Sequence, residues 1–152
     1  MSLASFFGRK KLKPVAPPQE ESDISRITEL MFRYRTGASE VRYELEAKDD
    51  GYTAMIRLEG ESADDAVTVA VADDVADEIA DLLSTYDVMR WDGFHESERG
   101  VLDGDRFSLS VYFSDGNGVS ADGYMSFPDS FDEVCEGLGE IFRRVRETAV
   151  QP

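Results

Sequence analysis

Hydrophobic and polar residues alternate along much of the chain, and this pattern predicts β-strands that are buried on one face. The strands predicted in this way are residues 27–35, 40–48, 52–59, 67–71, 88–91, 107–113 and 118–125. Aspartate–glycine pairs separate several of these runs, and such pairs are typical of tight turns. The pattern therefore predicts hairpins, in which neighbouring strands pair antiparallel.

The first hairpin is predicted to turn at Asp50 and Gly51, the two central residues of a type I′ turn. This register places Leu45 opposite Ile56, and both side chains then lie on one face of the sheet.

The hairpin near Asp115 needs a longer loop, because a two-residue turn would put Ser120 on the apolar face. A loop of three or five residues is expected instead, and it places Val119 opposite Phe113. Either Gly116 or Gly118 should then adopt a positive φ.

Two segments show the spacing of amphipathic helices, residues 73–86 and 129–147. Asp73 is the expected N-cap of the first helix. In the second helix, Gly139 lies at the edge of the apolar stripe, where close packing would explain it, and Gly137 has no such explanation. The expected fold is a two-layer α+β sandwich, in which a curved antiparallel sheet of five to seven strands carries both helices on one face.

The chain divides into an arm, residues 1–22, and a single domain, residues 23–152. The arm is basic, rich in proline and without periodicity, so it is predicted to be disordered. It is either a solvated tail or a weak contact with a membrane surface. The residues that would make this membrane contact are Phe6, Phe7, Arg9, Lys10, Lys11 and Lys13.

Acidic residues dominate the composition, with 32 Asp and Glu against 16 Lys and Arg. The formal net charge of the whole chain is −16. Residues 1–19 contain four bases and no acid, so the rest of the chain carries a formal charge of −20. Such a charge repels nucleic acid and favours a basic protein as the partner.

The chain is expected to be cytoplasmic. Its apolar patch near the N-terminus precedes the basic residues, the reverse of the order in a secretory signal. No uncharged apolar run approaches the roughly 18 residues of a membrane span. Cys135 is the single cysteine, so neither an intrachain disulfide nor a zinc-binding thiolate cluster is expected.

Candidate functional residues concentrate in the segment that contains the only tryptophan and the only histidine. The predicted protein-interaction residues are Trp91, Asp92, Phe94, His95, Asp103 and Asp105. The two aromatic residues either close the local core or form a contact surface, and His95 is expected to be a surface residue. Loop carboxylates at Asp103 and Asp105 give a weak prediction of calcium, although the EF-hand spacing is absent. No other cofactor is predicted.

The chain lacks the recognisable sequence motifs of serine hydrolases, nucleotide-binding loops and zinc peptidases. The leading hypothesis is therefore a non-enzymatic, acidic protein-interaction module. Two alternatives stay open: an immunity-type inhibitor of a basic toxin or nuclease, and a small hydrolase-like enzyme that uses loop carboxylates.

Three segments carry a resemblance to a known kind of domain: WDGF at 91–94, VLDGDRFSLSVYFSDG at 101–116, and the A-x-G-Y-x-x-F-P pattern of 121–128. Together they resemble a recurrent bacterial domain of unknown function, which is small and either cytoplasmic or carried by lipoproteins. The resemblance covers roughly residues 27–145. It implies an α+β fold and no particular activity, cofactor or substrate.

Overall fold

The computed structural model describes residues 26–100 and 104–150, and the predicted arm at 1–22 lies outside these ranges. The strands are β1 (Ile27–Thr36), β2 (Ser39–Lys48), β3 (Gly51–Arg57), β4 (Val67–Val71), β5 (His95–Ser97), β6 (Arg106–Phe113) and β7 (Gly118–Tyr124). The helices are α1 (Asp73–Thr85) and α2 (Phe131–Val150), with short 3-10 segments at Ala63–Asp65 and Val88–Trp91. The described residues therefore form the predicted α+β fold.

Within the described residues the strands make one seven-stranded sheet in the order β4-β3-β2-β1-β6-β7-β5. Every neighbouring pair is antiparallel except β5 and β7, which run parallel. The sheet is thus mixed, and the expectation of antiparallel pairing throughout is wrong at this edge. In the chain β6 lies between β5 and β7, so no hairpin joins these two strands and forces them to run in opposite directions.

One apolar face of the sheet packs against both helices, as the alternation predicts. Leu30 and Phe32 of β1 and Leu109 of β6 are buried there with the α2 residues Leu138 and Phe142. The opposite face of the sheet has no helix over it among the described elements, and we call it the open face. Because successive strand residues point to opposite faces, each strand contributes side chains to both environments.

The first hairpin has a register two residues away from the predicted one. Tyr43 pairs with Ile56, and Lys48 pairs with Gly51, so the turn lies at Asp49 and Asp50. The second hairpin is displaced by the same amount, because Val119 pairs with Val111. Both shifts are even, so every side chain keeps its predicted face.

The loop of the second hairpin has five residues between the paired Tyr112 and Gly118, and Gly116 has the expected positive φ, 91°. The predicted strand at 88–91 is wrong. Residues Val88–Trp91 form a 3-10 segment, in which Val88 and Trp91 are buried together, because i and i+3 lie on one side of such a helix.

The N-cap of helix α1 is one residue earlier than expected. Ala72 is the N-cap and makes no side-chain cap hydrogen bond, while Asp73 belongs to the first turn. In α2 the glycine of closest packing is Gly137 and not Gly139. A Cβ at position 137 would lie 2.6 Å from Leu82 Cδ1 of α1, so this glycine permits the helices to approach each other.

Candidate functional site

The open face carries a group of arginine side chains on four neighbouring strands. In each strand they alternate with residues of the core, for example Phe32 with Arg33. The group, which we call the arginine cluster, consists of Arg33 and Arg35 on β1, Arg42 on β2, Arg57 on β3 and Arg106 on β6. The open face of this strongly acidic protein thus carries arginines on four strands, interspersed with glutamates such as Glu40 and Glu44.

The strand register brings members of the arginine cluster directly opposite one another. Arg42 lies between two other arginines, since it pairs with Arg33 on β1 and with Arg57 on β3. Arg35 pairs with Arg106 across β1 and β6, and on its other side it lies opposite Glu40 of β2. Like charges in directly opposed positions destabilise a sheet. The cluster therefore costs stability unless negative groups lie among the guanidinium groups.

Some of these negative groups belong to the protein itself. Glu40 Oε1 lies 3.3 Å from Arg33 Nη2, and its Oε2 lies 3.8 Å from Arg57 Nη1. Arg42 Nε donates a hydrogen bond of 2.8 Å to Glu44 Oε2. Three members of the cluster are thus paired with carboxylates.

Arg35 and Arg106 differ from the other three, because neither has a carboxylate oxygen within 4.0 Å among the described residues. The Arg106 guanidinium carbon instead lies 5.0 Å from the centre of the Tyr124 ring. The Tyr124 hydroxyl accepts a hydrogen bond of 2.9 Å from the Gly104 N–H, which fixes the ring under the guanidinium. This pair of arginines is the part of the cluster best suited to an external anion.

A cavity of about 440 Å³ opens beside this pair on the open face. This volume falls within the range of about 300–1,000 Å³ that small ligands occupy. Cationic or hydroxyl groups come from Arg33, Arg35, Arg106, Ser97, Ser108 and Tyr124, and carboxylates from Glu40, Glu96 and Asp122. The cavity can therefore donate many hydrogen bonds to an anion, in particular the paired bonds that a guanidinium gives to a carboxylate.

His95 lies at the outer strand beside this cavity, and its side chain is exposed, as expected. Its Nδ1 is 2.8 Å from Asp122 Oδ2, and the pairing of β5 with β7 places the two residues opposite each other. Asp92 accepts a hydrogen bond of 2.9 Å from the Ser120 N–H through Oδ1. Asp92 and His95 therefore connect β5 and the residues just before it to β7.

Trp91 belongs to the core, where only 4% of its surface is exposed. The ring packs against Phe107 and Phe131, at centroid distances of 6.2 and 6.1 Å, and its Nε1 donates a hydrogen bond of 3.1 Å to the Asp129 carbonyl. Phe94 is half-buried against Phe107. The structure thus gives Trp91 the role of local core closure, and its ring is not part of an exposed contact surface.

Asp105 is half-buried, and its carbonyl accepts a hydrogen bond of 2.8 Å from the Met125 N–H. Asp103, the other predicted calcium ligand, lies outside the described residues. Within residues 26–100 and 104–150, no three His, Cys, Asp or Glu side chains come together in an arrangement that could hold a metal ion. The calcium hypothesis thus gains no support from Asp105, and for Asp103 it stays a prediction.

Cys135 is half-buried in α2, and burial raises the pKa of its thiol to about 11. A thiol with such a pKa is almost wholly protonated near neutral pH and is a poor nucleophile. Cys135 therefore acts as a small hydrophobic residue packed against the core.

Comparison with known proteins gives no relative, since neither the models of protein families nor the curated proteins match this chain. The resemblance to a bacterial domain of unknown function stays a prediction. No helix of the described ranges is long and apolar enough to cross a membrane.

Sequence reasoning missed the arginine cluster, although its signal is present in the strand patterns. Arg33, Arg35 and Arg42 all fall on the polar side of their predicted strands. With the predicted register, however, Arg42 would have faced Glu59, whereas the structure places it opposite Arg57.

Proposed function

We propose that this protein is a non-enzymatic binding module that recognises an acidic segment of a partner protein on its open face. The observation that carries the proposal is the opposed pair Arg35 and Arg106, neither of which has a carboxylate oxygen within 4.0 Å among the described residues. An arginine–carboxylate contact is short, charge-assisted and frequently bidentate. A bound carboxylate would remove the repulsion between the two guanidinium groups.

The overall negative charge opposes an acidic partner mainly at long range, and Glu96 and Asp122 also oppose it within the cavity. At physiological ionic strength the screening length is about 8 Å, so most of the distant acidic residues contribute little at the cavity. The contacts with Arg35 and Arg106 act at hydrogen-bond distance and are screened much less. An extended polyanion such as nucleic acid would instead meet the acidic surface along its length.

A hydrolase-like role for the carboxylates has less support. Glu40 already pairs with Arg33 and Arg57, and Asp122 pairs with His95. Carboxylates that are engaged in this way serve to position basic side chains. The proposal includes the bacterial cytoplasm as the location, in keeping with the single cysteine.

Calorimetric titration with a short polyglutamate peptide tests the proposal. We expect the unmodified protein to bind the peptide at low salt and less tightly as salt rises. Arg35→Gln and Arg106→Gln should each reduce the affinity at least about tenfold, since each removes charge-assisted hydrogen bonds. Arg90→Gln is the matched control, because Arg90 is exposed and pairs with Asp87 outside the cluster.

Two results would contradict the proposal. One is an unmodified protein that does not retain the peptide even at low salt. The other is an equal loss of affinity in all three variants, which would show that only the overall charge matters.

A second candidate function, the capture of a basic protein, uses the helix layer. Exposed carboxylates line α1 at Asp73, Asp74, Asp77, Glu78 and Asp81. Such a surface suits a basic partner, for example a toxin or nuclease that an immunity-type protein neutralises. If this candidate is correct, Asp77→Asn with Asp81→Asn will weaken the capture of a basic protein at low salt, and Arg35→Gln will not.

A further inference from the structure

The two edges of the sheet differ in how they are protected against pairing with another strand. β5 is three residues long, contains Glu96 and is followed by Glu98 and Arg99. A short strand and charged residues are common means of protecting an edge. β4, at the other edge, is longer and has no charged residue within the strand.

The sequence of β4 is Val-Thr-Val-Ala-Val, without a charge or a proline. It pairs with β3 in continuous register from Val67 to Val71, and its outer side has no neighbouring strand within the described residues. In a protein of 32% charged residues, an uncharged edge of this kind is a template for a further strand.

An apolar groove of about 310 Å³ runs beside β4. It lies between β4, the beginning of α1 and the last turns of α2. Its lining includes Val69, Val71, Val75, Val145 and Ala149. A strand added to β4 could therefore bury alternate apolar side chains in this groove while its backbone pairs with the edge.

Acidic residues lie at both ends of β4. Asp64 and Asp65 precede it in the 3-10 segment, and Asp73 and Asp74 follow it at the start of α1, all four exposed. The strand that fits this edge is therefore apolar in part and basic, since cationic side chains would meet carboxylates at either end.

Such a segment precedes the described residues in this chain. Residues 1–13 contain Phe6, Phe7 and four cations, and they contain no acid and no proline. The described chain begins at Arg26, whose Nη2 lies 3.6 Å from Asp73 Oδ1, just beyond the end of β4. The connecting residues 14–25 can span up to about 40 Å when extended, which exceeds the length of β4.

We propose that the segment 1–13 docks on the edge of β4 as an additional strand. Alternate side chains such as Leu3 and Phe7 enter the groove beside Val71 and Val145, and the cations at residues 9–13 meet the aspartates at one end of β4. The segment is thus a detachable strand of the same chain, and docking protects the one edge that lacks charged residues.

Residue-resolved hydrogen exchange on the full chain tests this proposal. The alternate amides of β4 that point away from β3 should be protected in the unmodified protein. Phe6→Ser with Phe7→Ser should speed their exchange at least tenfold, and so should Thr68→Lys with Ala70→Lys, which places cations on the edge. Ser120→Lys, on an exposed position of β7, is the control and should leave these amides unchanged. The amides of Leu30 and Leu109 report whether each variant is folded.

Three outcomes would overturn the proposal. The outward amides of β4 could exchange rapidly in the unmodified protein. Their protection could persist when Phe6 and Phe7 are replaced. It could also increase with protein concentration, which would show that a second copy of the chain covers the edge.

Discussion

The two faces of the sheet are built from alternate residues of the same strands and have opposite characters. Phe32 is buried against Tyr43 and Phe131, and its neighbour Arg33 is exposed on the open face. On the helix-covered face, the rings of Tyr43 and Phe142 stack at 4.8 Å. The open face places arginines opposite arginines.

This difference indicates a division of roles between the faces. Burial of aliphatic and aromatic side chains on the covered face stabilises the fold. Opposed arginines lower that stability, so their presence is better explained by what they bind. Changes on the covered face should mainly alter stability, whereas changes on the open face should mainly alter binding.

The largest expected effect concerns Phe107, which contacts Trp91, Phe127 and Phe131 in the core. Phe107→Ala should lower the free energy of unfolding by about 3–5 kcal/mol, because it removes buried contacts and leaves a cavity. Ser108→Ala, one residue further on the open face, is the control and should change it by less than about 0.5 kcal/mol. Urea unfolding measures the free energy of unfolding of both variants. Equal losses of stability would contradict the division of roles between the two faces.

The next effect concerns Gly123 in β7, where a Cβ would lie 2.0 Å from the Ser126 carbonyl oxygen and 2.7 Å from Phe107 Cε1. Since the nearest atom belongs to the backbone, Gly123→Ala should destabilise the protein by about 1–3 kcal/mol. Gly139→Ala is the control, because its Cβ would make an ordinary contact of 3.5 Å with the Tyr43 hydroxyl. The higher helix propensity of alanine should make this variant as stable as the parent or more so in thermal unfolding.

A smaller effect is expected where the connection after β3 joins α2. Arg146 donates hydrogen bonds of 2.7 Å to both Glu61 carboxylate oxygens and so lowers the pKa of Glu61. A lowered pKa in the folded state adds stability above the ordinary pKa of Glu61, about 4.5, and this stability is lost as pH falls through the lowered value. Glu61→Gln should therefore cost up to about 1 kcal/mol at neutral pH.

Urea midpoints near neutral pH and in acid provide the measurement, and the difference between parent and Glu61→Gln should shrink in acid. The open-face variant Glu44→Gln is the control, because Glu44 has a single contact with Arg42. If the stability difference between the parent and Glu44→Gln depends on pH as strongly as that of Glu61→Gln, the open face contributes to stability as much as the contact between Glu61 and Arg146 does.

The smallest effect has the opposite sign. Arg35→Thr removes the like charge opposite Arg106 and should raise the free energy of unfolding by up to about 1 kcal/mol, with a larger gain at low salt. Arg33→Thr is the comparison and should gain less, because it also loses the ion pair with Glu40. A destabilised Arg35→Thr would show that this side chain supports the fold.

Local pattern predicted the fold well, because burial on one face imposes a period of two on strands. The strand at 27–35, both helices and the covered face all follow from this spacing. The strand register was harder to predict from the sequence. A shift of two residues keeps Tyr43 and Ile56 on the same face, so the hydrophobic pattern cannot distinguish the two pairings.

The candidate site depends on that missing information. Which arginines oppose one another is a matter of register, and the pairing of β1 with β6 joins residues distant in the chain. Trp91 shows a second limit of the sequence, because its polar, glycine-containing segment is compatible both with local core closure and with an exposed contact surface. Only the tertiary packing of that segment against Phe107 and Phe131 buries the ring.

The buried indole of Trp91 also provides an intrinsic fluorescence signal for the folding of the protein. Trp91 is the only tryptophan, so its fluorescence comes from one position, where the 3-10 segment, β6 and α2 meet. Emission should begin blue-shifted and move to longer wavelength as water reaches the ring. Each unfolding curve would then record when that junction opens, without any label attached to the chain.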